Sequence, residues 1–310
     1  MRARRSDPAP VPPPRAGMMD RRQALMAMGG GLLMPCAARA EAWIDRPVVA
    51  LNWGVAETLY AMGVRPVGAA EIPGYNALIT QPATPRGVAD VGLQGAPSME
   101  ALVALAPDLI LIQAWQQHLR RSLERAARVD SVTIFTGKDD AYANAGAATR
   151  HIGGLLSCAD RAEGLITACD RKIEDARTRL ASYDGRPLYL AQILDGNIIS
   201  LFSTGSLFQA VLLRLGLQNA WRGAPDLLWG GTRVGIERLA DDPEARLVLI
   251  DPAGAPAARD LLAGDLFGLL PAVRAGRVVR IRGVWGFGAL PSATRFAEAL
   301  AAGLERGANG

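Results

Sequence analysis

One pattern occurs twice in the chain and limits what it can fold into. P-S-M-E-A-L-V-A-L-A-P-D-L-I-L-I begins at Pro97, and R-V-G-I-E-R-L-A-D-D-P-E-A-R-L-V-L-I begins at Arg233. Each copy sets one glutamate on a short helix, Glu100 or Glu237, then a leucine two residues later. A proline that stops the helix and a run of Val, Ile and Leu follow. Such runs, reached from a helix, read as strands buried on both faces of a parallel sheet. The first half reads as strand Arg46–Leu51, helix Ala56–Met62 ended by Gly63, strand Val64–Gly68, helix Ser98–Ala106 and strand Asp108–Gln113. The second reads as strand Leu188–Ile193, helix Leu207–Leu215 ended by Gly216, short helix Ile236–Ala240 and strand Arg246–Asp251.

Between the halves, Ala162, Leu165, Ile166, Cys169, Ile173, Ala176 and Leu180 recur in steps of three and four. That spacing puts one apolar stripe on a helix over 159–182, about 36 Å long, a stiff strut rather than a loose linker. The expected class is α/β: two lobes with helix-covered central sheets, joined by that single helix. The expected divisions are an export signal over 1–40, an N-terminal lobe over 45–158, the helix, and a C-terminal lobe over 186–306. With 310 residues, half of them apolar and 21% charged, the chain has enough core material for two such lobes.

The basic pI of 9.2 does not point to nucleic acid. Residues 1–40 hold seven arginines against two aspartates, leaving 27 basic and 28 acidic residues in the remainder. The positive charge belongs to the leader. There Arg21-Arg22 precedes an apolar run from Ala24 to Leu33, and Ala38-Arg39-Ala40 supplies a small-x-small cleavage site. This order predicts export by a twin-arginine-type signal to the periplasm; the apolar run is about half the length of a membrane span. Pro35 before Cys36 departs from the small residue that lipoprotein signals use, which disfavours lipid anchoring there. Cys158 and Cys169, eleven residues apart, would lie about 16 Å apart on one helix, too far for a disulfide. They read as buried apolar residues.

Catalytic arrangements are missing. The chain has no G-x-S-x-G elbow and no G-x-x-x-x-G-K-[ST] phosphate loop, and its only histidines are His118 and His151. No resident metal or cofactor is expected, and no enzyme activity. Aromatic placement is the informative signal. Aromatics are 5% of the chain, yet Trp53, Tyr75, Trp115, Trp229, Trp285 and Phe287 lie where strands end or loops begin. Ligands of open α/β sheets bind at strand ends, and an aromatic-lined cleft between lobes suits a bulky, partly apolar ligand.

Several segments resemble the periplasmic hydroxamate-siderophore-binding proteins of bacterial iron import, of the ferrichrome-binding type. They are Asn219–Ala240 (NAWRGAPDLLWGGTRVGIERLA), Gly205–Gly216 (GSLFQAVLLRLG), Ala89–Leu93 (ADVGL) and Val284–Gly288 (VWGFG), in the family's order. The resemblance runs from about Val48 to Leu304. It implies a shallow cleft that changes little on binding and holds a ferric siderophore without protein atoms on the iron. It places Leu78, Gln94, Trp115, Gln116, Trp229, Trp285 and Phe287 at that cleft, to which the aromatic placement adds Trp53. Gln94 stands where the family has an arginine, Leu78 and Ile112 where it has tryptophans, and Phe287 where it has a tyrosine. It also implies that Glu100 and Glu237 dock on an inner-membrane permease driven by its ATPase, with the carrier acting as a monomer. A haem or cobalamin carrier of the same fold is the alternative within this class; a periplasmic enzyme acting on siderophores is the alternative from another.

Overall fold

Side-chain parity along the central strands decides the layering. In the computed structural model, which describes residues 43–195, 197–225, 227–251 and 265–308, strand β1 (Ile44–Ala50) turns Val48 and Ala50 into one core, and Val49 with the following Leu51 into another. The expected export signal over 1–40, with Cys36, lies outside the described residues. After β1 come α1 (Trp53–Ala61), β2 (Val64–Ala69), α2 (Ile72–Leu78), the short strands β3 (Ala89–Asp90), β4 (Gly92–Leu93) and β5 (Ala96–Pro97), and α3 (Met99–Leu105). Next are β6 (Leu109–Gln113), a 3-10 turn over Ala114–Leu119, α4 (Arg120–Leu123), β7 (Arg128–Val132), α5 (Ala141–Leu155) and α6 (Ala159–Arg179). The second lobe holds β8 (Leu188–Asp195), β9 (Ile198–Phe202), α7 (Leu207–Arg214), β10 (Gly231–Gly235) and a 3-10 turn over Ile236–Ala240. It closes with β11 (Arg246–Asp251), α8 (Asp265–Leu269), α9 (Pro271–Arg274), β12 (Val278–Arg282) and α10 (Leu290–Ala308).

The first sheet has the order β3-β2-β1-β6-β7 and is parallel throughout, as the continuous apolar runs require. The second has the order β10-β9-β8-β11-β12 and corrects the expectation of parallel strands throughout. Only β8, β11 and β12 are mutually parallel; β9 folds back antiparallel on β8, and β10 antiparallel on β9.

In β6, Leu109 and Leu111 join the core that Val48 and Ala50 face, while Ile110 and Ile112 join the outer one. The second lobe repeats the division. Leu188, Leu190, Val248 and Ile250 face inward, and Tyr189, Ala191, Leu247 and Leu249 face outward. Because successive side chains alternate, each strand must be covered on both faces. The inner faces meet a single helical layer made of α1, α5 and α6 from one side and α7 and α10 from the other, in one continuous core. The lobes therefore share a middle layer in addition to the connecting helix. That helix, α6, ends at Arg179 rather than 182, where Tyr183 N closes a turn on Leu180 O. It buries Ala162, Ile166, Cys169, Ile173 and Ala176, the stripe read from the spacing. Cys158 and Cys169 are free and buried, and burial pushes the Cys169 thiol up to about 12.

Polar contacts also cross between the lobes. Asp140 caps α5 through Tyr142 N and Ala143 N and pairs with Arg214 of α7 at 2.8 Å, with the guanidinium 4.4 Å above the Tyr142 ring. Burial would raise the Asp140 carboxyl, but Arg214 and those two N–H groups together hold it below its ordinary value.

Candidate ligand-binding cleft

The chain leaves β1 at Leu51 and enters α1 through Asn52, whose side chain caps the helix by accepting from Gly54 N at 2.8 Å. This cap aims the next residue, Trp53, at the junction between the lobes, where its indole N–H donates to Ala70 O at 3.2 Å. The opposing aromatics come from the loop after β12. There Trp285 stands 5.2 Å from Trp53 and 5.0 Å from Phe287, and Phe287 stands 5.5 Å from Trp229. Glycine is required on either side of Phe287. A Cβ at 286 would strike the Phe208 ring, and one at 288 would run into Ser292 Oγ and the Glu57 carboxylate.

These aromatics and Trp115 wall a cleft of about 290 Å³, with Asn52, Gln94 and Gln113 completing the lining. The three amides are bonded in series. Gln113 Nε2 donates to Asn52 Oδ1 at 2.7 Å, Asn52 Nδ2 to Gln94 Oε1 at 3.0 Å, and Gln94 Nε2 to Glu71 Oε2 at 2.8 Å. Trp53 N also donates to Gln94 Oε1 at 3.3 Å. The floor is neutral and polar; the walls are aromatic. Such a site can stack on flat or apolar groups and hydrogen-bond oxygen atoms, and it holds no nucleophile or base.

Of the eight residues expected at the cleft, Trp53, Gln94, Trp115, Trp229, Trp285 and Phe287 line it. Gln116 does not reach it. The 3-10 turn folds Gln116 back beneath the floor, fully buried, accepting from Gln113 N and donating to Leu51 O and Gln94 O. Its amide braces the lining from behind. Leu78, at the end of α2, packs half-buried against the inner core instead of lining the cleft. Asn52 and Gln113 were missed by sequence reasoning, although both stand at or just past the end of a buried strand, where lining residues are to be sought. His118 and His151 are both exposed and outside the lining; His151 Nε2 lies 2.8 Å from Asp130 Oδ1. Among the described residues no cluster of three or more His, Cys, Asp or Glu could hold a metal, and no helix is long and apolar enough to cross a membrane.

Beneath the cleft, Glu57 of α1 is fully buried and bonded across the lobes. Its carboxylate accepts from Ala289 N at the start of α10, from Ser292 Oγ at 2.8 Å and from Arg295 Nη2 at 3.0 Å. Arg295 continues to Gln81 O and to Ser292 Oγ at 2.6 Å. Anions suit a helix N-terminus, and this one ties the wall that carries Trp53 to the loop that carries Trp285. The sequence clue was a single acid inside the apolar helix V-A-E-T-L-Y-A.

Glu100 and Glu237 are exposed, outside the cleft lining, one in each lobe. Glu100 lies in the first turn of α3, directly after the β4–β5 hairpin whose strands flank Gln94. Glu237 lies in the first turn of the 3-10 segment after β10, where Ile236 N donates to Asn197 O beside the start of β9.

Comparison with known proteins agrees with this architecture. The chain is 31% identical over 287 residues, 91% of its length and 96% of the other's, to the iron(3+)-hydroxamate-binding protein FhuD of Escherichia coli strain K12. It superposes with a TM-score of 0.77 and 28% identity on the crystal structure of Fe3+–Desferal-bound siderophore-binding protein FhuD from Vibrio cholerae, covering 83% of this chain and 97% of that one. The triscatecholate-siderophore-binding protein FeuA of Bacillus subtilis, at 17% identity and a TM-score of 0.65 over 84% of this chain and 92% of that one, shares the fold. Residues 48–284 match the periplasmic binding protein family, and to that family the chain belongs.

Proposed function

We propose that the protein is a periplasmic carrier that captures a ferric hydroxamate siderophore and delivers it to an ATP-driven importer. The observation that carries this reading is the pairing of aromatic walls with an uncharged amide floor in a cleft of about 290 Å³. A hexadentate hydroxamate wraps ferric iron in an uncharged shell with apolar arms and outward-facing oxygens. Aromatic walls and amide N–H groups complement both features. The likeness to proteins named for binding iron(3+)-hydroxamate and Fe3+–Desferal supports the same ligand class here. The iron travels as cargo inside its chelator, and no residue of the lining is a carboxylate, thiol or imidazole that would compete for it. The same lining supports a binding role over an enzymatic one.

Titration of intrinsic tryptophan fluorescence tests the reading directly, since Trp53, Trp115, Trp229 and Trp285 all line the cleft. Ferric trihydroxamates are expected to quench at micromolar concentration or below, with haem and cobalamin leaving the signal unchanged. Saturable binding of haem or cobalamin and none of hydroxamates would overturn it.

Export by the twin-arginine-type leader and delivery as a monomer complete the proposal. Glu100 and Glu237 would meet two permease copies, one glutamate per lobe, because a carrier made of two similar lobes offers equivalent contacts at equivalent places. Their exposure and their place outside the lining separate this role from ligand binding. Exposed charges act mainly on encounter and register. Glu100→Ala/Glu237→Ala is therefore expected to leave siderophore affinity within about twofold while uptake through the cognate importer falls about tenfold or more. Normal uptake at native expression would make both ordinary surface charges.

A further inference from the structure

We propose that Glu71, which is bonded to the cleft floor but is not part of the lining, sets the charge of ligand that the amide floor accepts, resting on the hydroxamate reading above. An ionised carboxylate only accepts hydrogen bonds. Gln94 must therefore turn its NH2 toward Glu71 Oε2, at 2.8 Å, and its carbonyl oxygen toward Asn52 Nδ2 and Trp53 N, at 3.0 and 3.3 Å. Asn52, now committed as a donor to Gln94, accepts through Oδ1 from Gly54 N at 2.8 Å and from Gln113 Nε2 at 2.7 Å. Glu71 at one end and the backbone donors Trp53 N and Gly54 N along the chain thus order the three amides in the same sense. Each amide nitrogen uses one hydrogen on its neighbour and keeps a second, so the floor has N–H groups to spare. The iron-bound oxygens of a hydroxamate complex are acceptors, and spare donors are what they need.

The same carboxylate supplies a field. All eight lining side chains are uncharged, and among the described residues Glu71 is the only carboxylate or guanidinium bonded to any of them. On the C-terminal lobe, Arg280 and Arg282 near the Trp285 loop converge on one carboxylate, Asp251, at 2.8 and 3.7 Å. A ligand bearing peripheral negative charge would meet Glu71 through one amide with no lining cation to offset it. A ligand bearing an ammonium group would be favoured. The ligand class is a ferric trihydroxamate that is neutral or positively charged, and Glu71 is a positioning residue for it.

A charge series built on one iron centre tests this. The ferric complexes of desferrioxamine B, with its terminal ammonium, of its N-acetyl derivative and of its N-succinyl derivative share one iron centre and differ at one terminus, where the charge is +1, 0 or −1. Calorimetric titration of the full mature protein at low salt should rank them in that order, with about tenfold between the extremes, shrinking as salt is raised. Glu71→Gln should flatten the ranking and leave the neutral complex within about threefold, because it removes the charge bonded to the floor while Trp53 N and Gly54 N still hold Gln94 and Asn52 in the same orientation. Glu71→Asp keeps the charge and should keep the ranking even where overall affinity falls. Equal binding of the three by the wild-type protein, tightest binding of the succinyl derivative, or a ranking unchanged by Glu71→Gln would overturn the proposal. Failure of all three to bind would instead overturn the hydroxamate reading, and this one with it.

Discussion

Trp285→Ala is expected to weaken binding of a ferric hydroxamate by about thirtyfold or more, some 2 kcal/mol, in a protein that still folds. Trp285 is the junction of the cleft aromatics, 5.2 Å from Trp53 on one lobe and 5.0 Å from Phe287 on its own. Truncation removes a wall and also the support of two others, so the loss should exceed that of a residue touching ligand alone. Trp229 provides the contrast. Among the described residues its aromatic contact is Phe287, at 5.5 Å, and Trp229→Ala should cost less. Trp285→Phe keeps a ring in place and should recover much of the loss. Calorimetry is the suitable measurement, since the variant alters the fluorescence baseline. Unchanged affinity in a variant of wild-type Tm would show that the ligand sits elsewhere.

The second large effect concerns stability. Glu57→Ala should destabilise the protein by about 3 kcal/mol or more, since removing one partner of a buried pair leaves the others uncompensated. At roughly 2–4 °C per kcal/mol for a domain of this size, Tm should fall by about 6 °C at least. Ala289 N and Ser292 Oγ would lose their acceptor and the Arg295 guanidinium its counter-charge, and Arg295 is only 18% exposed. Glu57→Gln separates shape from chemistry. The amide fits the space but offers an NH2 to a site already crowded with donors, so it should also destabilise. Glu57→Leu/Arg295→Met, which removes both charges at similar volume, should recover a large part of the loss. Unfolding of Glu57→Ala at the wild-type temperature would show that the Glu57 carboxylate does not hold the lobes together.

These residues differ in how far the sequence revealed them, for physical reasons. Strands β1, β6, β8 and β11 were legible because burial on both faces demands an unbroken apolar run. The antiparallel turn of the second sheet was not, although Asp195-Gly196-Asn197 between two apolar runs is a hairpin signal. Read from sequence, the strand ends at Ile193 and the next element is the helix from Leu207, with no strand over Ile198–Phe202. Cleft aromatics were legible because tryptophans at strand ends are conspicuous in a chain this poor in them. Amides are not conspicuous. Asn52 and Gln113 look like any polar residue at the end of a strand, and only a fold that brings positions 61 apart to 2.7 Å reveals them as a pair. Gln116 shows the opposite error: the resemblance placed it at the cleft, whereas a tight 3-10 turn folds it beneath the floor. Glu57 and Arg295 are 238 positions apart, and no local pattern links them.

The shared helical layer has a consequence for the traffic between carrier and membrane. A protein whose two sheets pack on one set of helices, latched by a buried carboxylate, is expected to change shape little when it fills. Empty and loaded molecules then show the importer nearly the same face and compete for the same dock. Whatever tells the importer to spend ATP must come from the cargo itself, visible at the mouth of the cleft. A cell that overproduces the empty carrier should thereby slow its own iron uptake.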